Sequence, residues 1–249
     1  MMKTQLVVSL FSLLILIKSL EIPVLAYKQS DLDQLIKTRK CIGCDFREAD
    51  FGMGSLLDPI VGISNLLGSE QRRENLLGTL LEGADLLKTD LQRVEVSRSD
   101  FRGAQMRGAN LVGTYMGESI LTGVDLSLAN LHEANLKKVD LTNANCSGAN
   151  MYGVNLVLAN VRGANLSKAN LHLATLREAD LTDVDFRGAN LTGANFRGAN
   201  LAGAKLDDTD LSGAYFRGTN IDLENQSRNV KFCKTVMPDG EINNRDCEE

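Results

Sequence analysis

Tryptophan is absent from this 249-residue chain, and aromatic residues make up only 5% of it. Ordinary globular cores draw much of their bulk from aromatic rings, so this interior must be filled by narrower side chains. Histidine is nearly missing too: His132 and His172 are the two present, which leaves little general-base capacity. No nucleophile, base and orienting group form a recognisable set. No phosphate-cradling glycine loop stands apart from the general run of glycines. The formal net charge is a mild −5, so attraction to nucleic acid is not expected. The longest apolar run, residues 6–17, is shorter than the ~18–20 residues that a membrane span needs. These absences argue against an enzyme and predict neither a cofactor nor a resident metal.

What is present is a period of five, running from about Thr79 to Asp222. It is cleanest at Phe186-Arg187-Gly188-Ala189-Asn190 and Leu191-Thr192-Gly193-Ala194-Asn195. If the large apolar residue is taken as the centre of a unit, centres fall at every fifth position from Leu81 to Ile221, 29 in all. Eighteen are Leu, four are Phe (Phe101, Phe186, Phe196, Phe216), and the rest are Met, Val, Ile and Cys146. Two residues before each centre stands a small residue, Ala in 17 units and Val, Thr or Ser in the others. The residue just before the centre is usually Asn or Asp.

Five matches neither the helical period of 3.6 nor the strand period of 2.0. A turn in every unit accounts for it. Each unit then forms one short extended side of a coil, with the centre and the small residue pointing inward. One of the two must be small because they share a narrow interior packed at near-crystalline density. Asn, Asp and Gly suit the corners, where turns form cheaply.

The A-(D/N)-L-x-x unit resembles that of the pentapeptide-repeat family, and the tail and leader resemble its secreted cyanobacterial members. The resemblance implies an all-β solenoid, a right-handed quadrilateral β-helix with four units to each 20-residue coil. Periodicity alone gives only inward and outward columns. Seven coils stacked at the inter-strand spacing of ~4.8 Å would make a rod about 35 Å long. The expected organisation is a signal peptide over 1–26, an N-terminal cap helix in 27–40, first repeats over 41–56, an insertion loop over 57–73, the β-helix over 74–222, and a C-terminal cap or tail over 223–249.

The leader has a positive start at Lys3, the apolar run, and Val24-Leu25-Ala26 as a cleavage site before Tyr27. Export to a periplasm or thylakoid lumen is therefore expected, with no membrane span once the leader is removed. In the cap, Ser30 is the expected N-cap with Asp33 three residues on, and Leu32, Leu35 and Ile36 share a face that covers the first coil. Phe46, Phe51 and Leu56 keep the register of Leu81, so the stretch at 57–73 reads as a bulge within one stack.

Five cysteines are present. Cys41 falls at a centre and Cys44 at a small position, so both should point inward, as a disulfide or as two buried thiols. A thioredoxin-like βαβ pattern and a second zinc-ligand pair are both missing. Cys146 is a centre, hence a core thiol. The tail, with Cys233 and Cys247, resembles that of secreted family members. In an oxidising compartment these two are disulfide candidates, closing a loop worth about 3 kcal/mol.

The outward columns are the places for recognition. His132, Tyr152 and His172 share one, with the two His backbones about 9–10 Å apart by the strand spacing, too far for a two-His metal site. Arg177, Arg197 and Arg217 share another, with Lys137 two coils before Arg177 and acids in the neighbouring columns. The best-supported function is a non-enzymatic structural or protein-binding module with an extracytoplasmic protein partner. Some family members mimic DNA with a strongly acidic rod. Between residues 77 and 222 this chain has 17 Asp/Glu against 14 Lys/Arg, a weak polyanion, and export would separate it from DNA. An enzyme or ligand-binding protein working from the His132–Tyr152–His172 face is a further alternative.

Overall fold

A computed structural model describes residues 28–47, 78–223 and 228–247. The expected signal peptide and the 57–73 insertion lie outside them, as do Phe51 and Leu56. The described chain winds as a right-handed quadrilateral β-helix. Parallel bridges join residues 20 apart, from Leu80↔Asp100 to Asn195↔Tyr215, so four units complete each coil.

The bonding within one unit explains the period. The centre's carbonyl accepts the N–H three residues on, as in Ala84 N–H to Leu81 O at 3.1 Å, closing a β-turn. The residue two after each centre from Leu81 to Phe216 has positive φ, for example Gly83 at 64° and Leu128 at 59°. That is the signature of a type II turn, which favours Gly at this place. Between coils, the centre's N–H reaches the next coil (Leu81 to Asp100 O, 2.7 Å), and the N–H before it reaches back (Asp100 to Thr79 O, 2.9 Å).

The interior is the inward pair of columns. Leu156, Leu176 and Phe196 are fully buried, as is Ala134, and the centres from Leu81 to Ile221 join one core cluster. Burying such a leucine is worth about 1.5–3 kcal/mol before entropy is subtracted. At Thr89, Thr114, Ser119 and Thr235 the hydroxyl in the small position bonds a main-chain carbonyl of the coil below, whereas Thr209 bonds Leu206 O of its own unit and the buried Thr219 Oγ1 has no partner among the described residues. Thr114 Oγ1 donates to Leu91 O at 2.7 Å and Ser119 Oγ to Val96 O at 3.0 Å. Those two buried hydroxyls are tolerated because they are satisfied.

The corners show a second rule. Where a long side chain takes the positive-φ position, the same corner one coil on is often Gly, and the chain leans into that space. Leu128 lies over Gly148 and Leu173 over Gly193, each close enough to crowd a Cβ built there. The column Arg98–Glu118–Lys138 is an exception, carried by alternating charge: Arg98 Nε lies 3.4 Å and Lys138 Nζ 3.5 Å from Glu118.

Both ends are closed by a carboxylate. Helix α1 (Gln29–Thr38) lies before the coil that starts at Cys41. Lys40 pairs with Leu80 and Asp45 with Asp85, so 40–46 stack directly onto the coil that follows residue 78. The Asp45 N–H, which has no earlier coil to reach, donates to Asp31 Oδ2 at 2.8 Å. The Lys28 N–H in turn donates to Asp45 O at 3.3 Å. Leu35 is buried in the core cluster. Ser30 is not the N-cap: the cap is Lys28, with no side-chain bond. Docking on Asp45 sets the helix start here, and Ser30 falls inside the helix with its hydroxyl on Asp31.

At the other end the coil runs on past Asp222. Lys231 pairs with Asp210 and Val236 with Tyr215, a step of 21 rather than 20, so one extra residue hides the repeat. Phe232 occupies a centre and is buried, Val230 and Thr235 take the small positions, and Met237 packs on the core. The Phe232 N–H has no further coil to reach and donates to Asp246 Oδ2 at 2.8 Å. A hairpin of β1 (Thr235–Val236) and β2 (Ile242–Asn243) brings that aspartate back.

Candidate functional site

Three positions of each unit face outward: the residue before the centre and the two after it. The first is built into a ladder. Its side-chain oxygen accepts the N–H two residues on, as Asn150 Oδ1 does from Tyr152 at 3.4 Å, an Asx turn. Its amide also donates down the stack: Asn150 Nδ2 to Asn130 Oδ1 at 3.0 Å, Asn170 to Asn150 at 3.2 Å, Asn190 to Asn170 at 3.2 Å. Asn supplies both a donor and an acceptor, which Asp cannot do when ionised.

Where Asp breaks a ladder, a neighbouring donor compensates. The Arg187 guanidinium donates to Asp185 (Nε to Oδ1, 2.9 Å) and Arg102 to Asp100 in the same way. These bonds hold both carboxyls below the ordinary range, against the opposing effect of burial. Asp180 is also lowered. Burial opposes that shift, and the bonds from Thr182 and Arg162 outweigh it.

The column of His132, Tyr152 and His172 is a stack of rings. The His132 and Tyr152 centroids lie 4.9 Å apart at 29°, and those of Tyr152 and His172 5.3 Å apart at 48°. His172 Nδ1 shares a short hydrogen bond with Thr192 Oγ1, and His132 Nε2 lies 3.8 Å from Glu133. The tyrosine separates the imidazoles, and among the described residues no group of three or more His, Cys, Asp or Glu could hold a metal. The column is a continuous amphipathic strip with rings packed on one another.

The arginine column lies on the fourth side. Arg177, Arg197 and Arg217 are all exposed, one per coil. Arg177 Nη2 is 3.9 Å from Glu178. Arg197 and Arg217 make no ion pair among the described residues. The next corner residues beside them are Gly198 and Gly218, so the acids expected in that neighbouring column stop at Glu178. Arg217 instead runs beside Gly240 of the tail.

The cysteines sort into two disulfides and one thiol. Cys41 is joined to Cys44 and Cys233 to Cys247. Cys41 and Cys44 are buried, at a centre and a small position. Cys146 is free and buried; burial, with the nearby Asp125 charge, pushes its thiol up to about 12. A thiol held so far from ionisation is no nucleophile at neutral pH.

Sequence reasoning missed the tail's contribution. Arg245 sits 4.7 Å over the Phe232 ring and donates to Val230 O at 2.6 Å, locking the end of the rod. The available signal was Phe232 and Met237, five apart, with Val230 and Thr235 two residues before them. Among the described residues no helix is long and apolar enough to cross a membrane.

The family profile for pentapeptide repeats matches eight copies, in overlapping segments over residues 75–222. A search of curated protein sequences gave no significant match. Among solved structures, trypsin-treated QnrB1, a plasmid-mediated fluoroquinolone resistance protein, is similar at 21% identity and TM-score 0.50, covering 65% of this chain and 86% of that one. HetL, a pentapeptide repeat protein involved in heterocyst differentiation regulation in the cyanobacterium Nostoc sp. strain PCC 7120, is 26% identical with TM-score 0.33, covering 74% and 98%. A pentapeptide repeat protein of the Arabidopsis thaliana thylakoid lumen is 29% identical with TM-score 0.20, covering 47% and 74%. The likeness to QnrB1 is one of fold.

Proposed function

The chain belongs to the pentapeptide repeat family, and from that premise we propose that it is a non-enzymatic scaffold that docks a protein partner outside the cytoplasm. The observation that carries this reading is the arginine column. Three exposed guanidiniums stand one coil apart, about 4.8 Å by the strand spacing. Arg197 and Arg217 have no ion pair among the described residues, and bare glycine corners flank them. Like charges held this close repel one another, and the fold keeps them in register. A partner presenting a row of carboxylates would relieve that repulsion with charge-assisted, bidentate bonds. The stiff backbone lowers the ordering cost of such an interface.

Export rests on the leader: Lys3, the apolar run over 6–17 and the small-residue site at Ala26. A periplasm or thylakoid lumen is the compartment, and two disulfides fit an oxidising one. The test is crosslinking in fractionated source cells, comparing the wild type with an Arg197→Glu/Arg217→Glu double variant. The expected result is a protein adduct in the exported fraction that the charge reversal removes. An adduct of equal yield from the double variant would discard the arginine column as the docking face. Recovery of the protein only in the cytoplasm, with its leader intact, would discard export.

A further inference from the structure

The second side of the rod carries a trough that the repeat pattern does not announce. Its floor is a column of hydroxyls, Ser127, Ser147 and Ser167, one per coil, in a cleft of about 520 Å³. Cations stand at both ends: Arg107 one coil before Ser127, Arg187 one coil after Ser167, and Lys168 in the corner beside Ser167. From Arg107 to Lys168 the trough spans three coil spacings, about 14 Å. Arg187 is paired with Asp185, but among the described residues Arg107 and Lys168 have no ion-pair partner and none of the three serine hydroxyls makes a hydrogen bond.

The walls differ in chemistry. On one side is Leu128, 60% exposed and held at positive φ, where a non-glycine side chain is strained. It leans over Gly148, with Cδ2 3.0 Å from where a Cβ would stand, and so forms an apolar rim. On the other side are the amides of Asn145 and Asn165. Each spends one amide proton down the ladder, on Asp125 and Asn145 respectively, which leaves a second proton for a ligand. Asp125 and Asp185 stand one coil to either side of these amides; Asp125 Oδ1 is occupied by the Ser127 N–H and Asn145, and the Asp185 carboxylate by Arg187.

The main-chain N–H groups beneath are all used. The N–H groups of Leu128, Cys146 and Gly148 reach Ser147, Asn165 and Ser167 carbonyls of the next coil. The trough therefore offers no open strand edge for a peptide to extend. It offers hydroxyls, amide protons and an apolar rim, which match the hydroxyls and C–H face of a sugar ring, with a cation at each end. We propose that this trough binds a short acidic oligosaccharide lengthwise, its sugar rings over the serines and its carboxylate or sulfate groups on Arg107 and Lys168.

The test is calorimetric titration of the full chain with a linear uronic-acid trisaccharide at low ionic strength, with a neutral glucose trisaccharide and an oligoglutamate peptide for comparison. The uronate is expected to bind saturably, and both comparison ligands to bind at least tenfold more weakly. Arg107→Ala and Lys168→Ala should each weaken the uronate about fivefold, the upper range for an exposed ionic contact. Ser147→Leu should abolish binding by filling the trough while leaving the circular dichroism unchanged, since the same position carries Tyr152 and Arg187 in other units. Arg197→Ala, on the docking face proposed above, should leave it unchanged, so the two readings fail independently. Absence of saturable heat, full binding by Ser147→Leu, or equal binding of the oligoglutamate would each overturn the proposal, as would equal losses from Arg197→Ala and Arg107→Ala.

Discussion

Asn150 and Asn195 occupy the same place in the repeat, yet the structure predicts opposite responses to the same change, Asn→Asp. Asn150 donates to Asn130 at 3.0 Å while its oxygen accepts from Asn170 and from the Tyr152 N–H. Ionised, the carboxylate of Asn150→Asp keeps the two acceptor roles and loses the donor. It also faces the Asn130 oxygen, and the residue two on, Tyr152, offers it no cation. One lost hydrogen bond plus the opposed oxygens should cost about 1–2 kcal/mol. Among the described residues Asn195 makes no ladder bond through its amide protons, and its oxygen takes only the Arg197 N–H, at 3.1 Å. Asn195→Asp keeps that bond and gives Arg197 the pairing that Arg187 has with Asp185. It should be neutral, or stabilising by up to about 1 kcal/mol.

The pH dependence sharpens the contrast. A protonated acid at position 150 can again donate to Asn130, so its folded pKa should lie above the unfolded value of about 3.9. The penalty should then be small below that value and grow as pH rises through the folded pKa. The assay is urea unfolding followed by far-ultraviolet circular dichroism, at neutral pH and near pH 3, each variant set against wild type under the same conditions. Equal losses for the two substitutions, or an Asn150→Asp penalty undiminished in acid, would refute the ladder argument.

Further expectations concern the core, the ends and acid. Leu156→Asp should abolish cooperative folding because it buries an unpaired charge, whereas Arg197→Ala should shift the thermal midpoint hardly at all. In native protein at pH 8, Cys146 should resist iodoacetamide, becoming reactive only as urea opens the coil; prompt labelling would contradict its burial. Asp45, Asp100, Asp185 and Asp246 are lowered, chiefly by bonds from nearby arginines. Their contribution to stability is present above the unfolded carboxylate pKa and fades as pH falls through the folded values. A chemical-denaturation midpoint that drops between about pH 5 and pH 2 is expected, and a flat profile there would exclude it.

The repeat made the interior legible because side-chain volume is written in the residue itself. Leu at the centre, Ala two before it and Asn just before it each has one role, repeated until it is unmistakable. The directions of Cys41, Cys44 and Cys146 followed from the same register. The ends were harder to read because they depend on where the chain folds back. Asp31 and Asp246 look like ordinary surface acids, and only the stack reveals the orphan N–H groups of Asp45 and Phe232 that they take up. The tail's two units were concealed by a single added residue, enough to shift Phe232 out of phase. Sequence placed His132, Tyr152 and His172 in one column but could not give the ring contacts. Leu128 over Gly148, and with it the serine trough, depends on which residues lie one coil apart.

The central claim is that the inward columns are packing and that the fourth outer side is the docking face. A photo-crosslinking amino acid placed at position 197 of the full chain in the source cell tests it most directly, with position 202 on the adjoining side as reference. The account predicts a discrete protein adduct from position 197 and none from 202. Adducts of equal yield from both, or from neither, would contradict it.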